Sequence, residues 1–215
     1  MFWSILISGI PERYSTVQPL LYSLLETQAV GRMPDVELLY LLDNRRRPVG
    51  AKRNALLDMA RGEYVSFIDD DDDVAADYVR RIYATLVKTR KSATPADVIC
   101  FRQLAHLETQ NIVHDCTYSL EHYRNRPPEG RRQLAQVADD KGAIVQNVLA
   151  WTGPPAHTMV WRRALLAGIR FPEKTFGEDV DFVDLACERA TSEIQLGGEV
   201  LYNYRWNEAK SATRS

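Results

Sequence analysis

A chain of 215 residues is long enough to bury one sizeable core without disulfide or metal staples, and 45% hydrophobic with 26% charged residues excludes disordered, collagen-like and low-complexity classes. With 27 basic against 29 acidic residues the net charge is −2, so no overall field draws the chain to nucleic acid and only local basic patches could. Cys100, Cys116 and Cys187 are odd in number, far apart and without a CxxC pair, which argues against a disulfide framework and a zinc site and suits a reducing, cytoplasmic setting.

The apolar stretch at residues 2–10 has no basic leader and is too short for a signal core or membrane span, so it reads as a strand. Its β-prone part, residues 3–8, stops at Gly9 and Pro11. Val17, Leu20, Leu21, Leu24 and Leu25 recur at helical spacing and predict a helix over 15–28 with one face on a sheet. A second strand follows over 36–42. Next come a helix over 50–61, with Ala51, Ala55 and Met59 on one face and Gly62 as its stop, and a third strand over 64–68. This alternation predicts an α/β fold, a mostly parallel central sheet flanked by helices, in one domain over 1–215. Such sheets bind ligands beyond the carboxyl ends of their strands. Here those ends carry residues 11–13, 43–47 and 69–73, so three loops are expected to converge on one crevice.

Further along, Tyr78, Ile82 and Leu86 mark a helix and 98–101 a strand, while 102–118 alternates loosely and reads as a hairpin. Residues 124–132, with Pro127, Pro128 and Gly130, read as an exposed, mobile loop. A strand over 157–161, a helix over 178–190 and a strand over 199–204 precede a polar tail. There is no internal repeat, and no run approaches the roughly 18 apolar residues of a membrane helix.

Five aspartates, Asp69 to Asp73, directly follow the third strand. Neighbouring carboxylates repel and resist desolvation unless a cation neutralises them, and Mg2+ or Mn2+ can be shared between carboxylates and nucleotide phosphates. A structural role accounts for part of the run, since Asp72 and Asp73 could cap the next helix. A second acidic site, Gly177-Glu178-Asp179-Val180-Asp181-Phe182, opens a helix, where acids also complement the helix dipole without any catalytic purpose.

Phe67-Ile68-Asp69-Asp70-Asp71-Asp72, preceded by Gly50-Ala51-Lys52-Arg53-Asn54-Ala55 and Gly62-Glu63-Tyr64, resembles the family-2 glycosyltransferases of the GT-A fold. The resemblance is strong over the first half and held at isolated points of the second. It implies a nucleotide-sugar-binding half over 1–101 and an acceptor-binding half over 102–215. Pro11, Glu12 and Arg13 would border the base, and Asp43 would hydrogen-bond it. Arg53, Asp69 and Asp70 would lie beside the nucleotide, and Asp71 with Asp69 would hold Mn2+ or Mg2+.

In inverting members a Glu-Asp pair at the second acidic site supplies the general base, here Asp179, with Glu178 beside the acceptor and Asp181 pointing elsewhere. Arg205, in Tyr202-Asn203-Tyr204-Arg205, would reach the diphosphate. Family members usually pair acidic and small residues where this chain has Asp43-Asn44-Arg45-Arg46-Arg47, which leaves the base open; those arginines suit phosphates or a solvated loop. In the rigid aromatic loop from Trp151 to His157, Trp151 is a candidate stacking platform for the acceptor and His157 a polar guide, against core roles for both.

The expected activity is inverting, metal-assisted transfer from a nucleotide-diphosphate sugar, a UDP-sugar, to an acceptor hydroxyl of a glycan or lipid-linked glycan. Hydroxymethylated DNA is an alternative acceptor, with Arg124, Arg126, Arg131 and Arg132 as phosphate contacts. A non-catalytic nucleotide- or glycan-binding module is a further reading, as is a nucleotidyltransferase, although Gly9-Ile10-Pro11-Glu12-Arg13 lacks the glycine-rich phosphate loop that the latter favours.

Overall fold

A computed structural model describes residues 1–125, 132–174 and 177–206, with 132–134 as backbone alone. In chain order the elements are β1 (Trp3–Gly9), α1 (Tyr14–Tyr22), β2 (Val36–Leu42), α2 (Val49–Met59), β3 (Tyr64–Asp69), β4 (Asp73–Val74) and α3 (Tyr78–Arg90). They continue as β5 (Val98–Leu107), β6 (Ile112–Tyr118), α4 (Leu120–Asn125), β7 (Arg132–Ala138), β8 (Ile144–Gly153), β9 (Val160–Arg162), α5 (Glu178–Arg189) and β10 (Glu193–Trp206). One mixed sheet runs β2-β1-β3-β9-β5-β6-β8-β7, with β10 alongside β5 and holding β4. No helix among the described residues is long and apolar enough to cross a membrane.

The first three strands form the expected parallel unit. β1 is a central strand, paired in parallel with β2 along one edge and β3 along the other, and all seven of its residues are buried, so both of its faces are covered as well. That is why residues 5–7 read as a continuous apolar run rather than an alternating one. Each large side chain here contributes about 1.5–3 kcal/mol through burial.

The helix expected over 15–28 is two segments. Pro19 lies inside α1, where it has no N–H to donate, and the chain widens into a π turn at Ser23–Thr27. Gly62 does not cap α2, which ends at an extended Ala60. It is a point of close approach instead: its N–H donates to Ser4 Oγ at 2.8 Å, and a Cβ there would sit 2.6 Å from the Ser4 nitrogen. Asp72 and Asp73 do not cap α3 either; Asp77 is the residue at that helix start.

The hairpin expected over 102–118 is β5–β6, turned through a left-handed Asn111. β7 and β8 were not anticipated, and Trp151 lies in β8 rather than in a loop. β9 is only three residues, while β10 extends the expected last strand in both directions. Of the segment expected as an exposed loop over 124–132, residues 124 and 125 end α4 and Arg132 begins β7, while 126–131 lie outside the described residues.

One buried carboxylate ties the lower end of this sheet. Asp97, 2% exposed, accepts hydrogen bonds from the Thr191 and Ser192 backbone N–H groups, the Thr191 hydroxyl and Arg162, joining β5, β9 and the start of β10. Burial alone would raise its pKa, but these donors together hold it below the ordinary 3.8. Its contribution to stability is therefore complete above pH 3.8 and is lost as the pH falls through the lower folded value.

Asp97→Asn is expected to destabilise the fold by about 2–3 kcal/mol at pH 7, and the deficit should narrow as the pH falls below 3.8, read by urea unfolding at several pH values. Gly50→Ala should also destabilise. Alanine adds about 1 kcal/mol of helix propensity, but its Cβ would stand 2.2 Å from the Pro172 carbonyl oxygen, and overpacking of about 1–3 kcal/mol outweighs the gain. An unchanged or higher denaturation midpoint would contradict that assignment.

Candidate active site

The three loops expected to converge do meet. The chain crosses from β1 to β2 on one side and returns to β3 on the other, which leaves a crevice at the carboxyl ends of β1 and β3. There the Ile10 N–H donates to Asp70 Oδ2 at 3.2 Å, and Arg13 Nη1 reaches Asp70 Oδ1 at 2.9 Å and Asp71 Oδ2 at 2.8 Å. At the end of β2, Asp43 accepts from the Arg45 N–H at 3.1 Å and Arg47 Nε at 2.9 Å, while Arg45 also bonds Glu12. Lys52, 5% exposed, donates to the Gly9 carbonyl at 3.2 Å and stands 3.8 Å from Asp43. Burial lowers its pKa, although Asp43 and Asp70 oppose that shift.

The five aspartates divide into separate duties. Asp72 is buried and accepts from the Tyr202 hydroxyl at 2.7 Å and the Arg205 N–H at 2.8 Å. Asp73 accepts from Asn203 and from both Nε and Nη2 of Arg205. Both therefore anchor the acidic loop to β10, and Arg205 is turned toward Asp73 rather than into the crevice. Asp70 is occupied by the β1 loop. Asp71 is partly accessible, its side chain 33% exposed and met by Arg13, and burial together with Asp69 and Asp70 raises its pKa to about 6 despite that contact.

Asp69 connects this loop to the second acidic site. Its Oδ1 accepts from Arg53 Nη2 at 2.6 Å, and Arg53 Nη1 donates to Glu178 Oε1 at 2.5 Å. Its Oδ2 lies 3.4 Å from His157 Nε2, and His157 Nδ1 lies 3.5 Å from Asp179 Oδ2. Burial opposes the charge of Asp69, but Arg53 and His157 overcome it and hold the carboxyl well below the usual range. Arg53, though fully buried, has its pKa raised by Asp69 and Glu178 and stays charged.

Aromatic packing brings these groups together. Phe171 stacks on Phe182 of α5 at 3.9 Å, and Phe67 of β3 meets Phe171 edge-on at 5.3 Å. The Arg53 guanidinium lies over the Phe171 ring at 5.4 Å. Asn54 exchanges two hydrogen bonds with the Phe171 backbone, 2.8 and 2.9 Å, and so docks α2 on the segment leading to α5. Asp181 turns outward and pairs with Lys174.

Trp151 is half-buried against Tyr118 at 5.4 Å, on the far part of the sheet, and no described contact joins it to Asp179. Arg124 donates to the Ala190 carbonyl; Arg126 and Arg131 lie outside the described residues, as does the side chain of Arg132. Sequence reasoning missed Tyr204, a largely buried phenol whose pKa is raised by its burial and by Asp72, Asp69, Asp71 and Asp179 around it. Alternation in Tyr202-Asn203-Tyr204 was the available signal: residues two apart on a strand share a face. A groove of about 580 Å³ lined by Tyr64, Arg162 and Ile169 lies at the opposite end of β3 and takes no part in this site.

Among the described residues, no group of three or more His, Cys, Asp and Glu side chains is gathered to hold a metal by itself. The oxygen donors nevertheless fit a hard divalent cation, which is commonly held by one or two carboxylates plus phosphates and water. Asp71, whose pKa is raised to about 6 by burial and by Asp69 and Asp70 despite Arg13, presents a carboxylate that such a cation would use.

A family model described as glycosyl transferase family 2 matches residues 26–144. Comparison with curated proteins returned no match. Among solved structures, S. aureus TarS residues 1–349 in complex with UDP-GlcNAc is similar with a TM-score of 0.62 and 18% identity, over 100% of this chain and 61% of that one. The complex of the same TarS fragment with UDP gives 0.60 and 18%, over 96% and 61%. The chain thus spans about three fifths of the length of these structures, and the likeness establishes the fold. With the family model covering more than half of its length, the chain belongs to glycosyl transferase family 2.

Proposed function

We propose that this chain transfers a sugar from a UDP-sugar to an acceptor hydroxyl with inversion, assisted by Mn2+ or Mg2+, residues 1–101 binding the donor and 102–215 the acceptor. The observation that carries the reading is that Asp69 and the pair Glu178 and Asp179, more than a hundred residues apart, face one crevice through shared partners. Family membership supports the reaction class, and the UDP-GlcNAc and UDP held by TarS support a uridine diphosphate donor.

In this reading Pro11, Glu12 and Asp43 border the base, and the arginines at the end of β2 lie toward the phosphates. Asp71 holds the cation, with Asp69 behind it already engaged by Arg53 and His157. When bound, the cation stabilises charge on the departing diphosphate. Arg13 keeps the Asp70 and Asp71 carboxylates in place from the β1 side.

Asp179, 39% exposed at its side chain, takes the proton from the acceptor hydroxyl. The oxygen then forms its bond to the anomeric carbon as the carbon–diphosphate bond breaks and the electron pair leaves on the diphosphate. A single displacement inverts that carbon, and no covalent enzyme intermediate is required. Glu178 is held by Arg53 and fixes the first turn of α5 beneath the acceptor.

Asp179→Asn is expected to lower sugar transfer by about 10²–10⁴-fold while UDP binding by calorimetry changes little, because the base acts on the acceptor side. Transfer is measured by mass spectrometry over a panel of nucleotide sugars and pooled acceptors that includes hydroxymethylated DNA. Turnover near the wild-type level in the variant would exclude Asp179 as base. Chelation by EDTA should abolish turnover, and Mn2+ should restore it. Asp71→Asn should raise the half-saturating Mn2+ concentration about tenfold or more, the effect of losing a charged oxygen ligand; EDTA-resistant turnover would rule out the cation.

A further inference from the structure

His157 lies in the turn that leads into β9, closed by the Met159 N–H donating to the Ala156 carbonyl at 3.1 Å. β9 then runs antiparallel to β3, with Arg162 opposite Tyr64 and Trp161 opposite Val65. The turn sets His157 Nε2 3.4 Å from Asp69 Oδ2 at the end of β3. Below the ring, Phe67 lies 6.3 Å away, and the residue is 8% exposed. Its Nε2 is buried and makes no aligned hydrogen bond, and its Nδ1 points to Asp179 Oδ2 at 3.5 Å.

Glu178 and Asp179 are adjacent on the first turn of α5, and each is met by a different nitrogen-bearing side chain that also reaches one oxygen of Asp69. Arg53 makes the short, charge-assisted bridge to Glu178. His157 makes the longer one to Asp179, at distances typical of a contact that tightens when substrate is bound. A carboxylate 39% exposed has freedom to rotate, whereas His157 beside it is buried and packed near Phe67.

We propose that His157 is a positioning residue: braced by Asp69 at the end of β3, its imidazole sets the orientation of the Asp179 carboxylate toward the acceptor and so couples the donor side of the crevice to the base. This rests on the reading of Asp179 as the base. It differs from a role for His157 in binding acceptor, because it assigns the effect to turnover rather than to acceptor affinity.

Two measurements test it. Crystal structures of the wild type and of His157→Ala should show Asp179 in one orientation in the former and in several in the latter, with the bridge from Asp69 through Arg53 to Glu178 intact in both. A single, unchanged Asp179 orientation in the variant would overturn the proposal.

The second measurement is UDP release from UDP-GlcNAc with Mn2+ and water as the acceptor. In His157→Ala, kcat should fall about 10²-fold, the effect of a catalytic group displaced by about 1 Å, with the KM for UDP-GlcNAc within twofold. His157→Asn, whose amide nitrogen stands near the Nδ1 position, should regain about tenfold of that loss. His157→Gln, which matches Nε2 instead, should not. A His157→Ala enzyme within threefold of wild type, a loss confined to KM, or an Asn variant no better than Ala would refute the assignment. If Asp179→Asn kept full turnover while Asp179 became disordered in His157→Ala, the base reading would fail and the positioning role would stand.

Discussion

Asp69 is the constraint on which the site depends. It ends a buried strand, and each of its oxygens faces a different partner: Arg53 from α2 on one side and His157 from the segment before β9 on the other. A buried carboxylate is costly unless it is paired and hydrogen-bonded, and removing either partner would strand a charge in the interior. Arg53 has no freedom to turn away, because it lies against Phe171 and is also committed to Glu178. Arg53, shared between Asp69 and Glu178, thus links the end of β3 to the first turn of α5 across the crevice.

The cluster is not balanced charge for charge. Arg13, Arg53 and Lys52 approach from the β1 loop and α2, yet Asp70, Asp71 and Asp72 all have raised pKa values, owing first to burial and then to neighbouring carboxylates, Asp69 in every case. Tyr202 and the Arg205 backbone stabilise Asp72 by hydrogen bonds rather than by opposite charge. Asp70 and Asp71 are engaged by neither β10 nor α2, and of the two Asp71 is the more exposed, 33% against 7% at the side chain. Under the proposed function, the negative charge left here is what a cation arriving with a diphosphate would offset.

Much of this was legible along the chain, and the limits follow from the kind of interaction involved. The βαβαβ order, the apolar run of β1 and the acidic strand end are local patterns, and local patterns survive without an alignment. The crevice itself followed from a topological rule about parallel sheets. By contrast, β7 is exposed at 135–138 and β8 mostly half-buried at the far edge of the sheet, where alternation is weak and neighbours decide the conformation. Asp72 and Asp73 looked like helix caps because a cap is a local solution; they are instead taken by Tyr202, Asn203 and Arg205, some 130 residues away.

By itself the sequence determined which residue types were available and which secondary structures would present them: five aspartates at a strand end, a Glu-Asp pair at a helix start, and an arginine beside an asparagine on the second helix. Only the tertiary structure decided how these pair. That Asp69 rather than Asp71 meets Arg53, that Arg205 belongs to Asp73, and that His157 stands between Asp69 and Asp179 depend on strand pairing, on the turn before β9 and on how the Phe67, Phe171 and Phe182 rings pack. For Arg205 the register is that of β10 against β4, with Asn203 opposite Asp73. Because a one-residue slip would turn every side chain to the opposite face, no spacing within a single segment could reveal it.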